Sequence, residues 1–130
     1  MAREVISTGD APGAVGPYSQ GISTETHIFC SGQLGLVPGT GTLAEGGVAA
    51  QTRRSLQNLK AVLEAAGSGL DRVVKTTVFL ADMGDFKAMN EVYAEFFGDE
   101  PPARSTVAVK GLPLGGLVEI VASALAGEFD

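Results

Sequence analysis

Apolar residues recur along this chain at two spacings. Between Gly47 and Ala66, the positions Val48, Thr52, Leu56, Leu59, Leu63 and Ala66 return every three or four residues, which predicts an amphipathic helix with Gly67 at its end. A second stripe of Phe86, Met89, Tyr93, Phe96 and Phe97 follows Asp82, a suitable helix cap, and precedes Gly98, so a second helix is expected there. Pro101 and Pro102 forbid its continuation. Short β-branched and aliphatic runs separated by Gly, Pro and Thr predict strands at residues 5–6, 18–23, 27–36 and 73–80, with two more on either side of residues 110–116. The order βββαβαββ calls for an α+β layer in which a mixed six-stranded sheet carries both helices on one face. No repeat or linker divides it, so a single domain over residues 1–130 is expected. The other face of the sheet has apolar residues that also need cover, which predicts self-association.

Composition narrows the function. With 45% hydrophobic and 18% charged residues the chain can build one core. Fifteen acids against 9 bases, net charge -6, argue against a nucleic-acid partner, which demands a basic footprint. No lysine-rich face suggests a membrane surface, and no apolar stretch approaches the roughly 20 residues of a spanning helix. The single cysteine, Cys30, excludes an internal disulfide, and the start Met1-Ala2-Arg3-Glu4 lacks a leader-like apolar run, so a cytosolic location is expected. One histidine and one cysteine, His27 and Cys30, cannot furnish a typical zinc set. The glycines at 39, 41, 46 and 47 lack a phosphate-loop pattern. Neither metal nor cofactor is expected. His27 reads as an edge or packing residue and Cys30 as a small buried one.

The candidate chemistry lies near the C-terminus. Pro102-Ala103-Arg104-Ser105-Thr106-Val107 and Val118-Glu119-Ile120-Val121 each place one charge in an otherwise apolar strand, and a charge so placed must be paired or used. An antiparallel hairpin folded about residues 111 and 112 sets Arg104 opposite Glu119. Two readings follow: a structural ion pair, or a site. Glycine and polar patches at Gly16-Pro17-Tyr18-Ser19-Gln20-Gly21 and Cys30-Ser31-Gly32-Gln33 are places where backbone is laid open to a ligand. Asn90 falls on the stripe of the second helix and away from solvent, as a structural amide or a pocket wall. Tyr18 reads either as a core residue with a bonded hydroxyl or as part of a site.

Taken together, G-P-Y-S-Q-G at 16–21, S-G-Q at 31–33, V-K-T-T-V-F-L-A-D at 74–82, N-E-V-Y-A-E-F-F at 90–97, P-A-R-S at 102–105 and V-E-I at 118–120 resemble the RidA/YjgF family of enamine/imine deaminases. The resemblance implies a chorismate-mutase-like fold, a homotrimer with clefts between protomers, and hydrolysis of imines such as 2-iminopropanoate and 2-iminobutanoate to 2-oxo acids and ammonia. It implies Arg104 as the carboxylate anchor and Glu119 as the residue that activates water. Tyr18, the backbone around Ser31 and Gly32, and Asn90 then orient and shield the imine, and Thr106, on the strand face of Arg104, bears on which side chain fits the substrate pocket. The chain departs from many relatives at Thr106, where some carry cysteine, at Val121, where many carry glutamate, and at Leu114, where a lysine is frequent. The competing reading is a noncatalytic trimer that senses small 2-oxo acids or other carboxylates.

Overall fold

The expected order of elements is present, with one addition. The computed structural model describes residues 3–127; Met1 and Ala2 of the N-terminal run and positions 128–130 of the expected domain lie outside the described residues. The elements are β1 (Glu4–Ile6), β2 (Gly21–Ser23), β3 (His27–Leu34), β4 (Leu36–Val37), β5 (Thr42–Leu43), α1 (Gly47–Ala65), β6 (Val73–Leu80), α2 (Phe86–Phe96), β7 (Ala103–Ala108) and β8 (Val118–Leu125). Six strands form one mixed sheet in the order β1-β2-β3-β8-β6-β7. The addition is the small β4–β5 ribbon, whose two-residue strands are too short to give a period.

Both helices cover one face of the sheet. Leu56, Leu59, Val62 and Leu63 of α1 and Met89 and Tyr93 of α2 close over Ile28, Val78, Leu80, Val118 and Ile120, all buried. Burial of each such side chain contributes about 1.5–3 kcal/mol. The opposite face is open: Phe29 and Val107 are 49% and 43% exposed, and Phe79 and Val121 beside them are half-buried. Among the described residues, no helix is long and apolar enough to cross a membrane.

Three expectations are corrected. The hairpin between β7 and β8 does not exist, because β6 lies between them, parallel to β7 and antiparallel to β8. The α2 crossover delivers β7 to the far side of β6, as a parallel β-α-β connection does. Residues 109–117 then pass over the end of β6, where the Val109 amide donates to the Leu80 carbonyl at 2.8 Å and the Ala81 amide to the Leu117 carbonyl at 3.1 Å. Second, β7 is an edge strand with Val107 exposed, so within the chain it is not a dry one. Third, Asp82 does not cap α2 itself. Its Oδ1 accepts from the Gly84 amide at 2.8 Å and caps a 3-10 turn, Met83–Asp85, that leads into the helix.

A polar row on α1 sits inside the apolar face that periodicity located. The Gln51 Oε1 accepts from the Leu117 amide at 2.8 Å, the Ser55 hydroxyl donates to the Gln33 carbonyl at 2.7 Å, and the Asn58 amide donates to the Leu34 and Leu36 carbonyls at 3.2 and 2.9 Å. All three side chains are buried. They satisfy carbonyls at the end of β3 and an amide before β8, where a register shift between Cys30 and Gln33 interrupts the ladder. Gly35 permits this docking, since a Cβ there would lie 2.5 Å from the Gln51 backbone. The polar row thereby fixes the segments that carry Ser31, Gly32 and Glu119.

Candidate active site

A cleft of about 550 Å3 opens at the far end of β3. Its floor includes Ser31 and Gly32 of β3 and Glu119 of β8, and its walls come from the 12–18 loop with Tyr18, from Leu36 and from the 113–114 turn. Buried Gln20 builds one wall: its Oε1 accepts from the Thr8 amide at 2.7 Å while its Nε2 donates to the Thr8 and Pro12 carbonyls at 3.1 and 2.8 Å. Gln20 stands inside the 16–21 motif, but only the fold reveals that it pins a loop.

Glu119 is half-buried. Its side chain packs where a Cβ on Gly32 would stand, which would lie 2.9 Å from Cδ and 3.0 Å from Oε2. Glycine at 32 is therefore what makes room for the carboxylate. Burial pushes the Glu119 carboxyl above its ordinary value, because a poorly hydrated anion is disfavoured. Nearby, the Ser31 hydroxyl donates to the Ser19 carbonyl at 2.6 Å, which leaves its oxygen free to accept. Tyr18 is 51% exposed rather than a core residue; the Val15 amide reaches its hydroxyl at 3.4 Å.

Arg104, Asn90 and Thr106 form a second group. Arg104 pairs in register with Thr76, and Glu119 with Phe79. Thr76 and Phe79 are three residues apart on β6, so Arg104 and Glu119 occupy opposite faces, two strands apart across the sheet, roughly 10 Å, and a similar distance along it. No ion pair joins them: the one salt bridge among the described residues is Arg53–Glu95 at 2.8 Å. The structural ion pair within one chain is thus overturned. The Arg104 guanidinium instead lies over the rings of Tyr93 and Phe86, 4.7 and 5.7 Å from their centroids, and the Tyr93 hydroxyl is bonded to that of Thr76 at 2.7 Å. Asn90 is four residues past Phe86 and three before Tyr93, on the helix face that Arg104 crosses. It is half-buried and not removed from solvent as expected. Thr106 shares the Arg104 face of β7, and its Oγ1 is buried with no hydrogen-bond partner.

The chain therefore carries two half-sets. One, on the cleft, has a carboxylate, a phenol and a hydroxyl; the other, on the α2–β7 edge, has a guanidinium, an amide and an unpaired hydroxyl. His27 and Cys30 behave as packing residues: His27 bonds the Thr26 hydroxyl at 2.9 Å and stacks on Phe29, and burial pushes the Cys30 thiol up to about 12.

Comparison with known proteins agrees with the fold. The sequence profile of the family described as Endoribonuclease L-PSP matches residues 8–126. The human 2-iminobutanoate/2-iminopropanoate deaminase is 46% identical over 127 residues, covering 98% of this chain and 93% of its own. A RutC family protein of Pyrococcus horikoshii is 51% identical over 122 residues, covering 94% and 97%. Among solved structures, YyfA of Yersinia pestis, from the conserved Rid protein family, superposes with a TM-score of 0.92 at 45% identity, over 96% of this chain and 100% of that one. With a family profile spanning nearly every described residue and near-complete overlap at close to half identity, this chain is a member of the RidA/YjgF family.

Proposed function

We propose that this protein hydrolyses 2-imino acids and their enamine tautomers, 2-iminopropanoate and 2-iminobutanoate among them, to 2-oxo acids and ammonia. The observation that carries the reading is the Glu119 carboxylate on the cleft floor, seated against Gly32 with its proton affinity raised by burial. A carboxylate so tuned can take a proton from water and also give one back. The deaminase names of close relatives support the same class.

In this reading Arg104 holds the substrate carboxylate through its planar fork, and Glu119 removes a proton as the water oxygen adds to the C=N carbon. The tetrahedral carbinolamine then collapses. The nitrogen has by then taken the first water proton from the Glu119 carboxyl; Glu119 removes the second from the carbinolamine hydroxyl and passes it to the nitrogen as the C–N bond breaks, so that ammonia leaves and the former water oxygen becomes the carbonyl. Ser31 Oγ and the Tyr18 hydroxyl orient the imine nitrogen, and Asn90 and Thr106 flank the carboxylate. Because Arg104 and Glu119 sit on opposite faces of one sheet, the working site combines the cleft of one protomer with the α2–β7 edge of another. A homotrimer closed through the open sheet faces supplies that arrangement, and a cytosolic setting fits the unpaired cysteine.

A serine or threonine dehydratase coupled to the purified protein tests the class. Release of 2-oxo acid and ammonia from the dehydratase product should accelerate in proportion to added protein; unaltered imine decay, with 2-oxo acid bound but not formed faster, would favour the sensing trimer. RNA cleavage, which the family description mentions, conflicts with a net charge of -6.

Gly32→Ala should cost about 10²-fold in kcat, because the new methyl displaces the Glu119 carboxylate from its seat. Thermal melting should stay near that of the parent, as only a flexible side-chain end must move. Full activity in Gly32→Ala would mean that the seat does not matter.

A further inference from the structure

Three of the most exposed large apolar side chains, Val15 at 86%, Leu114 at 65% and Tyr18 at 51%, converge on one cleft, with Leu36 beside them. Single exposed apolar residues need no explanation, but a cluster around a concavity does. Leu114 is also the only non-glycine among the described residues with a positive φ, at φ 61° and ψ 18°. A branched side chain in the left-handed region crowds its own backbone, and glycine or asparagine adopts that conformation more readily. The turn is held on both sides: the Gly116 amide donates to the Pro113 carbonyl at 3.0 Å and the Leu117 amide to Gln51 of α1 at 2.8 Å. A strained leucine at the mouth of the cleft that holds Glu119 calls for something apolar to meet it. Within one chain this cleft measures about 550 Å3, in the range that holds ligands much larger than the imine of alanine.

We propose that Leu114 and Val15 form a recess for the substrate side chain, and that this protein prefers 2-imino acids with extended or branched aliphatic side chains over 2-iminopropanoate. The inference rests on the deaminase reading and adds its specificity. Glu119 and Ser31 act at the C=N carbon and nitrogen on the cleft floor, and the side chain extends outward between the 12–18 loop and the 113–114 turn.

An amino-acid oxidase that generates imines from leucine, methionine or alanine, run against a trapping amine, gives kcat/KM for each imine as 2-oxo acid escapes trapping. The parent protein should favour the leucine-derived imine over the alanine-derived one by about 10-fold or more, the scale on which apolar pockets discriminate added methylenes. Leu114→Asn, which retains the left-handed turn, should lower that ratio about 10-fold, chiefly through KM. A parent ratio at or below one, or an unchanged ratio in folded Leu114→Asn, overturns the proposal; if Leu114→Asn fails to fold, Val15→Ser bears the same test. Turnover of the alanine imine alone leaves the deaminase standing and removes this inference, whereas turnover of no imine removes both.

Discussion

Glu119→Gln is expected to lower kcat for imine hydrolysis by about 10²–10⁴-fold, the usual worth of a positioned acid–base group, with binding of 2-oxo acid retained. The amide fills the same seat against Gly32 but can neither take nor return a proton. The pH profile gives a second readout. Burial raises the carboxyl above its ordinary value, so the acid limb of the parent's kcat/KM should fall at a pH higher than an exposed glutamate dictates, and Glu119→Gln should lack that limb. Stability moves in the opposite sense to activity. A group whose folded pKa is raised favours the fold below its unfolded pKa, and that contribution disappears as pH rises through the folded value. Glu119→Gln should therefore melt higher than the parent near neutrality, with the two curves meeting in acid. Undiminished turnover in Glu119→Gln would remove Glu119 from the mechanism.

Arg104→Ala should lose about 10²–10³-fold in kcat/KM, mostly through KM, the cost of deleting one partner of a charge-assisted pair. Arg104→Lys should not restore it, because an ammonium lacks the bidentate fork. Within one chain the change strands no ion pair, since Glu119 lies on the opposite face; the assembly should persist, and its loss would instead assign Arg104 a structural role. The decisive experiment mixes the two dead proteins. When Arg104→Ala and Glu119→Gln chains are co-assembled at equal amounts, random association creates some sites that combine an intact Glu119 from one chain with an intact Arg104 from its neighbour. About a quarter of parental activity should return for a heterologous ring. No recovery in demonstrably mixed assemblies means that both residues do not act across one interface.

Legibility in the sequence followed the range of the interactions. Both helices were readable because their stripes of Leu, Phe and Met report one local period, and Gly67 and Gly98 mark where the stripes end. The pairing of β7 was not readable. Two short strands joined by a glycine-rich link suggest a hairpin, and nothing in residues 103–125 records that β6, over twenty residues earlier, takes the place between them. The relation of Arg104 to Glu119 failed with it, although both were located as the charges that needed a use. Gln51, Ser55 and Asn58 leave no mark in the apolar period of α1, because their partners are backbone groups of β3, β4 and residue 117. The Val15 and Leu114 walls of the cleft were equally hidden, since loop side chains carry no period.

Cys30 adjoins Ser31 on β3, one position from the cleft, and its thiol is held protonated up to about 12. Thiolates, not thiols, attack electrophiles. On the proposed function, the single thiol of the chain thus stays in its unreactive form beside a site that receives reactive imines, by nothing more than the packing of a strand.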